Sequence, residues 1–162
     1  MNKSFWNEYG LKTLFFLSIL TFDIASKRAI LNSLLLHQSF TVIPNFFDIT
    51  YVENPGAAFG LLGTIENPWR NLLLGGVSAI AVIMLLNFYL KQAKDNEIIK
   101  YAIIIVLAGA IGNLIDRFRF GVVVDFLDFH WYEYHWPAFN VADTVICIGV
   151  GLLVWQLWGA ED

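Results

Sequence analysis

The chain of 162 residues has little charge, one cysteine and four prolines. Only 15% of residues are charged against 57% hydrophobic, and mean hydropathy is +0.60. A water-soluble core of that composition would lack the polar surface to clothe it, so a multi-span membrane protein fits better. The lone Cys147 excludes an internal disulfide and any multi-cysteine metal site, and within its apolar run it reads as a small packed hydrophobe. No Lys/Arg block forms a nucleic-acid footprint, and the formal net charge is only −4. There is no H-E-x-x-H, and His37, His130 and His135 fall in interfacial connections, which argues against zinc hydrolysis. No G-x-S-G serine motif lies in an apolar run, and Ser26 and Lys27, adjacent on a helix, point about 100° apart and cannot form a dyad. Internal repeats, low-complexity tracts and a separate soluble domain are also missing.

What is present is four apolar runs of the length that crosses about 30 Å of hydrocarbon, at about 11–31, 69–90, 98–117 and 138–158. The expected fold is an α-helical integral membrane protein, one membrane-embedded domain over 1–162 with four transmembrane helices and a small β-containing region on the outer face. The first run begins LKTLFFLSILTF like a secretory signal, but Asp23 and Lys27 interrupt it and no A-x-A site follows, so it is expected to be a retained anchor. All four prolines fall in connections or at span starts, Asn67-Pro68 resembles a helix start, and all six tryptophans lie near span ends as an aromatic belt requires. Lys3, Lys12, Lys91, Lys94 and Lys100 flank one face and Lys27, Arg28, Arg70, Arg117 and Arg119 the other. Weighting the short hairpin KQAKDNEIIK places both termini in the cytoplasm. Residues 32–68 include SFTVIPNFFDITYVEN, which suggests short strands, and FHWYEYHW is aromatic enough for the headgroup region.

The ionisable residues collect at the outer face. Asn113, Asp116 and Arg117 share a face of the third span at i, i+3 and i+4, and Asn140, Asp143 and Thr144 repeat that spacing on the fourth. Asp143 is expected about five residues into its helix, roughly 8 Å along the axis, at a depth similar to Asp116. Asp23 and Lys27, paired at i, i+4, reach the same face from the first span. Ala108 and Gly112 form a small-xxx-small pair, and Gly109 thins the helix further. A solvated headgroup position would also account for Asp116 and Arg117. It accounts less well for Asp143, which TVICIGVGLLVW follows, because an ionised Asp at mid-bilayer costs about 2.5–3.5 kcal/mol.

Two carboxylates facing each other across a water would share one proton near neutral pH, the state aspartyl proteolysis requires. Intramembrane Asp, Arg and Asn also mark transport paths, and buried polar groups can simply lock helices in a scaffold. Four short spans without duplicated broken helices leave little room for alternating access.

Five segments in order resemble the bacterial lipoprotein signal peptidases, or signal peptidase II: DIASK (23–27), NPGAAFG (54–60), AGAIGNLIDR (108–117), VVDFLDF (123–129) and PAFNVADT (137–144). Ala108 and Thr144 depart from the family's usual glycine and serine, touching only local packing. The resemblance implies a monomeric, multi-pass enzyme of the bacterial inner membrane that removes signal peptides from prolipoproteins, cutting before a diacylglyceryl-modified cysteine near the outer leaflet. It implies no metal and no organic cofactor, a lipidated prolipoprotein and the bilayer as partners, and no nucleic acid. On it Asp116 and Asp143 are the catalytic dyad. Asn113 and Asn140 orient the carboxylates or the scissile peptide, and Arg117 fixes local charge. Asp23, Lys27, Asn54 and Gly56 shape the pocket and engage the lipid-bearing cysteine region. Asn54 could equally cap a turn, Asp125 is catalytic support or a helix-end cap, with structural support the favoured role, and Asp48 and Asp128 are solvated loop residues.

Overall fold

A computed structural model of the chain describes residues 3–56, 69–92 and 96–158. Along the chain run α1 (Lys3–Ser33), β1 (Ser39–Ile43), β2 (Phe47–Asn54), α2 (Trp69–Gln92), α3 (Glu97–Phe120), β3 (Val123–Trp131), β4 (Tyr134–His135) and α4 (Val141–Trp158). The four helices cover the four expected runs. Leu72–Lys91 and Glu97–Phe120 are long and apolar enough to cross a membrane, Val141–Gln156 is a shorter apolar stretch, and α1 is long but carries Lys12, Asp23, Lys27 and Arg28. The Asn67-Pro68 start signal and residues 57–60 of NPGAAFG lie outside the described residues.

Helix α3 is central, packing against α1, α2 and α4. Asn96 caps its start, accepting the Ile98 and Ile99 N–H groups at 2.9 and 3.1 Å, while Gly121, at φ 74°, ends it in a left-handed turn that only glycine adopts cheaply. The usual distribution of polarity is inverted. Leu73, Val77, Ile80 and Met84 of α2 face outward, whereas Asp23, Lys27, Asn113, Asp116, Asp125 and Asn140 are buried. Hydrocarbon outside and a satisfied polar interior suit a lipid surround.

Small residues decide how closely α3 and α4 approach. A Cβ on Gly109 would sit 2.5 Å from the Ala142 carbonyl oxygen, and one on Gly149 would sit 2.8 Å from the Ala102 carbonyl oxygen. A Cβ on Gly112 would collide with the Asp23 carboxylate, so the small-residue pair admits a side chain from α1 as well as a helix. Cys147 lies off the packed face of α4 and is exposed, contrary to its expected burial, because Ala142, Val145, Ile146 and Gly149 make the contact with α3.

The sheet is an antiparallel meander, β1-β2-β3-β4. Strands β1 and β2 fall where expected. Strands β3 and β4 correct the reading of residues 118–137 as an interfacial aromatic segment alone. Asp125 and Asp128, three apart in VVDFLDF, break the two-residue alternation by which a strand is read. Asp48 and Asp128 are likewise not solvated loop residues. They stand opposite each other in the β2–β3 register, a like-charge pair that destabilises a sheet unless compensated. Histidines compensate them: His135 Nδ1 lies 2.9 Å from Asp128 Oδ2, His130 Nε2 lies 3.6 Å from Asp48 Oδ1, and the two imidazoles stack at 4.5 Å.

His130 Nδ1 lies 2.8 Å from the Tyr132 carbonyl, which can only accept, so in the neutral ring Nε2 carries a lone pair facing a carboxylate. Both of those buried atoms then lack a donor, and protonation supplies it. The Tyr132 carbonyl, followed by Asp48 and Asp128, accordingly raises the His130 pKa above its ordinary 6.5. A raised folded-state pKa stabilises fully below the unfolded value and is lost as pH rises through the folded one. Amide protection in β2 and β3, measured by hydrogen exchange, should therefore decline as pH climbs past about 6.5, and His130→Gln should flatten that dependence. In the helices, Gly109→Ala should lower stability by about 1–3 kcal/mol. Gly75→Ala, whose Cβ meets nothing within 4 Å, should be neutral or slightly stabilising in detergent unfolding.

Candidate active site

Helix α4 begins with a reciprocal capping box. Asn140 Oδ1 accepts the Asp143 N–H at 2.9 Å, and Asp143 Oδ2 accepts the Asn140 N–H at 3.3 Å. Asp143 therefore lies in the first turn of α4, shallower than the expected fifth position, because Pro137–Asn140 are not helical and Phe139 bridges to Leu127 of β3. The next free donor of the helix, Ala142 N–H, is taken at 2.9 Å by Asp23 Oδ1, which arrives from α1. One carboxylate thus caps a helix formed more than a hundred residues later.

Asp23 is 0% exposed, and its other oxygen lies 2.9 Å from the Lys27 ammonium, the pairing expected from the i, i+4 spacing. The same ammonium lies 3.0 Å from Asp116 Oδ2 and donates to Asn113 Oδ1 at 3.0 Å. Asp116 Oδ2 also accepts the Val124 N–H at 3.3 Å. Asn113 Nδ2 in turn donates to Asp143 Oδ1 at 2.8 Å. No hydrogen bond joins Asp116 to Asp143; Lys27 and Asn113 stand between them.

The outer half of the cluster is built on the sheet. The left-handed turn at Gly121 reverses the chain from α3 into β3, which places Asp125 opposite Val52 of β2. Asp125 Oδ1 accepts from Asn140 Nδ2 at 2.6 Å, and Oδ2 accepts from Asn54 Nδ2 at 3.0 Å. Asn54 Oδ1 accepts the Gly56 N–H at 2.9 Å, so the turn-capping and site readings of Asn54 both hold. The Gly56 carbonyl accepts from Arg117 Nη2 at 3.2 Å, and Arg117 Nη1 returns to the Asn113 carbonyl at 3.3 Å. Asn140 Nδ2 lies 3.2 Å from Asn113 Oδ1, which closes a ring of hydrogen bonds through six residues on α3, β2, β3, the cap of α4 and the turn after β2.

Every expected site residue joins this network: Asp23, Lys27, Asn54, Gly56, Asn113, Asp116, Arg117, Asn140 and Asp143. Asp23 and Lys27, at 0% and 2% exposure, lie inside it, while Asn54, Arg117 and Asp143 form its half-buried rim. Asp125, for which structural support was favoured over catalytic support, bonds to both Asn54 and Asn140 within the network. It is 2% exposed among Val123, Val124 and Phe126. Burial first, and the nearby Asp143 charge second, push its pKa up to about 7 against the pull of its two amide donors. The signal in the sequence was a carboxylate embedded in four apolar residues.

A membrane-type helical bundle with an antiparallel sheet over a carboxylate-bearing polar cluster defines the class as a membrane enzyme. Residues 15–159 match the family described as signal peptidase (SPase) II, and the chain belongs to that family, whose members are proteases. A lipoprotein signal peptidase of Syntrophotalea carbinolica is 50% identical over 140 residues, 86% of each chain. One from Desulforapulum autotrophicum is 44% identical over 139 residues, again 86% of each. A solved bacterial membrane enzyme, determined by the in meso method at 2.3 Å, superposes with a TM-score of 0.85 at 35% identity, covering 94% of this chain and 90% of that one.

Removing Asp23 should strip α4 of a cap and Lys27 of a partner. Asp23→Ala is expected to lower stability by roughly 3–5 kcal/mol in detergent unfolding, whereas Arg28→Ala, exposed on the same helix, should leave it unchanged.

Proposed function

We propose that this chain is an aspartyl endopeptidase that removes signal peptides from diacylglyceryl-modified prolipoproteins, cutting before the lipidated cysteine, with Asp125 and Asp143 as the reacting pair. Removal of signal peptides from prolipoproteins follows from the family. The aspartyl chemistry rests on one observation above all, a buried Asp125 carboxyl whose pKa lies at about 7 beside the Asp143 charge. The geometry supports Asp125 rather than the expected Asp116 as the partner of Asp143. Asp116 is compensated by the Lys27 ammonium and the Val124 N–H and belongs to the framework. Asp125 has no cation in contact and receives only neutral amides.

In this reading ionised Asp143 removes a proton from water, whose oxygen bonds to the scissile carbonyl carbon while Asp125 gives its proton to the carbonyl oxygen. Collapse of the tetrahedral diol breaks the C–N bond. The leaving nitrogen takes the proton held by Asp143, and the hydroxyl proton returns to Asp125. The two amide donors fill one lone pair on each Asp125 oxygen and leave its proton directed away from both. Asn54 and Arg117 at the rim, with the buried Gly56 between them, contact the segment carrying the lipidated cysteine. All four helices span the inner membrane, with cytoplasmic termini and the sheet near the outer leaflet, and the protein works as a monomer without a metal.

Asp125→Asn and Asp143→Asn should each reduce cleavage of a diacylglyceryl-modified prolipoprotein by at least about 100-fold, with a chelator present and folding intact. Asp116→Asn should lower thermal stability while retaining measurable cleavage. Because a raised pKa keeps Asp125 protonated only below about 7, kcat/KM should fall as pH rises through that value. Cleavage that persists in Asp125→Asn but vanishes in a folded Asp116→Asn would return the role to Asp116.

A further inference from the structure

We propose that Lys27 is a positioning residue: it fixes the direction of the Asn113 amide and, through it, the hydrogen bond that holds Asp143 in its reacting state. The inference rests on Asp125 and Asp143 being the reacting pair. It departs from the expectation that Lys27 meets substrate, because its side chain is buried and its contacts are complete.

An ammonium has three N–H donors and no acceptor. Lys27 donates a hydrogen bond to Asn113 Oδ1 at 3.0 Å and forms ion pairs with Asp23 Oδ2 at 2.9 Å and Asp116 Oδ2 at 3.0 Å. A primary amide presents one oxygen and one NH2, and a donor-only neighbour forces the oxygen toward itself. The NH2 of Asn113 must then turn to Asp143 Oδ1, at 2.8 Å. Its partners set the direction of each of the other two amides in the same way. The Val124 carbonyl, which only accepts, turns the NH2 of Asn140 toward Asp125, and the Gly56 N–H, which only donates, turns the NH2 of Asn54 toward Asp125. Only the amide facing Asp143 is set by a charged side chain.

The consequence is chemical. Asp143 receives N–H groups at both oxygens, from Asn113 at Oδ1 and from the Asn140 backbone at Oδ2, which is the environment of an ionised base. Were Asn113 free to turn over, its oxygen would face Oδ1, and only a protonated Asp143 could satisfy it. A proton there removes the acceptor for water's proton. Asp23 and Asp116 take part by holding the ammonium in place, so two carboxylates outside the chemistry control one inside it.

The test uses purified protein in detergent with a diacylglyceryl-modified prolipoprotein. Lys27→Met combined with Asp116→Asn keeps the local charge balance and should lower kcat at least about 10-fold with KM within about twofold, since a positioning loss falls on the transition state rather than on binding. Asn113→Ala should give a similar loss, and adding the Lys27 and Asp116 changes to it should cost no more than about a further twofold, because both act through one amide. Asn113→Asp keeps an acceptor for Lys27 but has no donor for Asp143, and it should lose kcat even where the charge-balanced variant is too unstable to purify. Multiplying losses, a loss confined to KM, or unchanged kcat in Asn113→Asp would each overturn the inference. Cleavage surviving Asp125→Asn or Asp143→Asn would instead remove the reading beneath it.

Discussion

A single buried ammonium sets the terms for the interior of this protein. Lys27 is 2% exposed, and a cation so placed is tolerable only when anions and acceptors surround it. Those acceptors come from α1 and α3, so the requirement locks the two helices in register. Gly112 on α3 exists in that setting as room for the Asp23 carboxylate, since any Cβ there would displace it. Close packing of α4 on Gly109 then brings the α4 N-terminus within reach of the other Asp23 oxygen.

Compensation and its deliberate lack divide the carboxylates. Asp23 and Asp116 are each matched by the Lys27 ammonium and by a backbone N–H group, which ties them into the scaffold. Asp125 is buried to a similar degree among valines and a phenylalanine, has only amides, and faces a like charge. A carboxyl so placed holds its proton near neutrality, which is the condition under which one member of a pair can give a proton while the other takes one. The same chain therefore gives its buried carboxylates different surroundings, ionic for Asp23 and Asp116 and amide for Asp125.

Much of this was legible in the residues. The apolar runs announced the helices, the i, i+4 pair of Asp23 and Lys27 is present, and the ordered motifs gathered every expected site residue into one network. The role proposed for Asp125 was not legible, because depth along helix axes pointed to Asp116, and β3 was hidden by the two aspartates that interrupt its alternation. Strand register cannot be read from β3 alone. It is set by β2, more than sixty residues earlier, and that register brings Asn54 to Asp125 and Asp48 to Asp128. Cys147 misled for a related reason: in a bundle clothed by hydrocarbon, apolar neighbours in sequence do not mean burial in the fold.

The bond from Asp23 to the Ala142 N–H spans 119 positions, from the first helix to the last. Asp143 stands one residue beyond that N–H, so its helix turn is complete only after both ends of the polypeptide have been inserted and have met. A ribosome releases the first helix long before the fourth exists, and during that interval Asp23 has no helix end to cap. The polar cluster at the start of the last helix is therefore a product of the finished topology, and no stretch of chain shorter than those 119 positions holds both of the partners that close it.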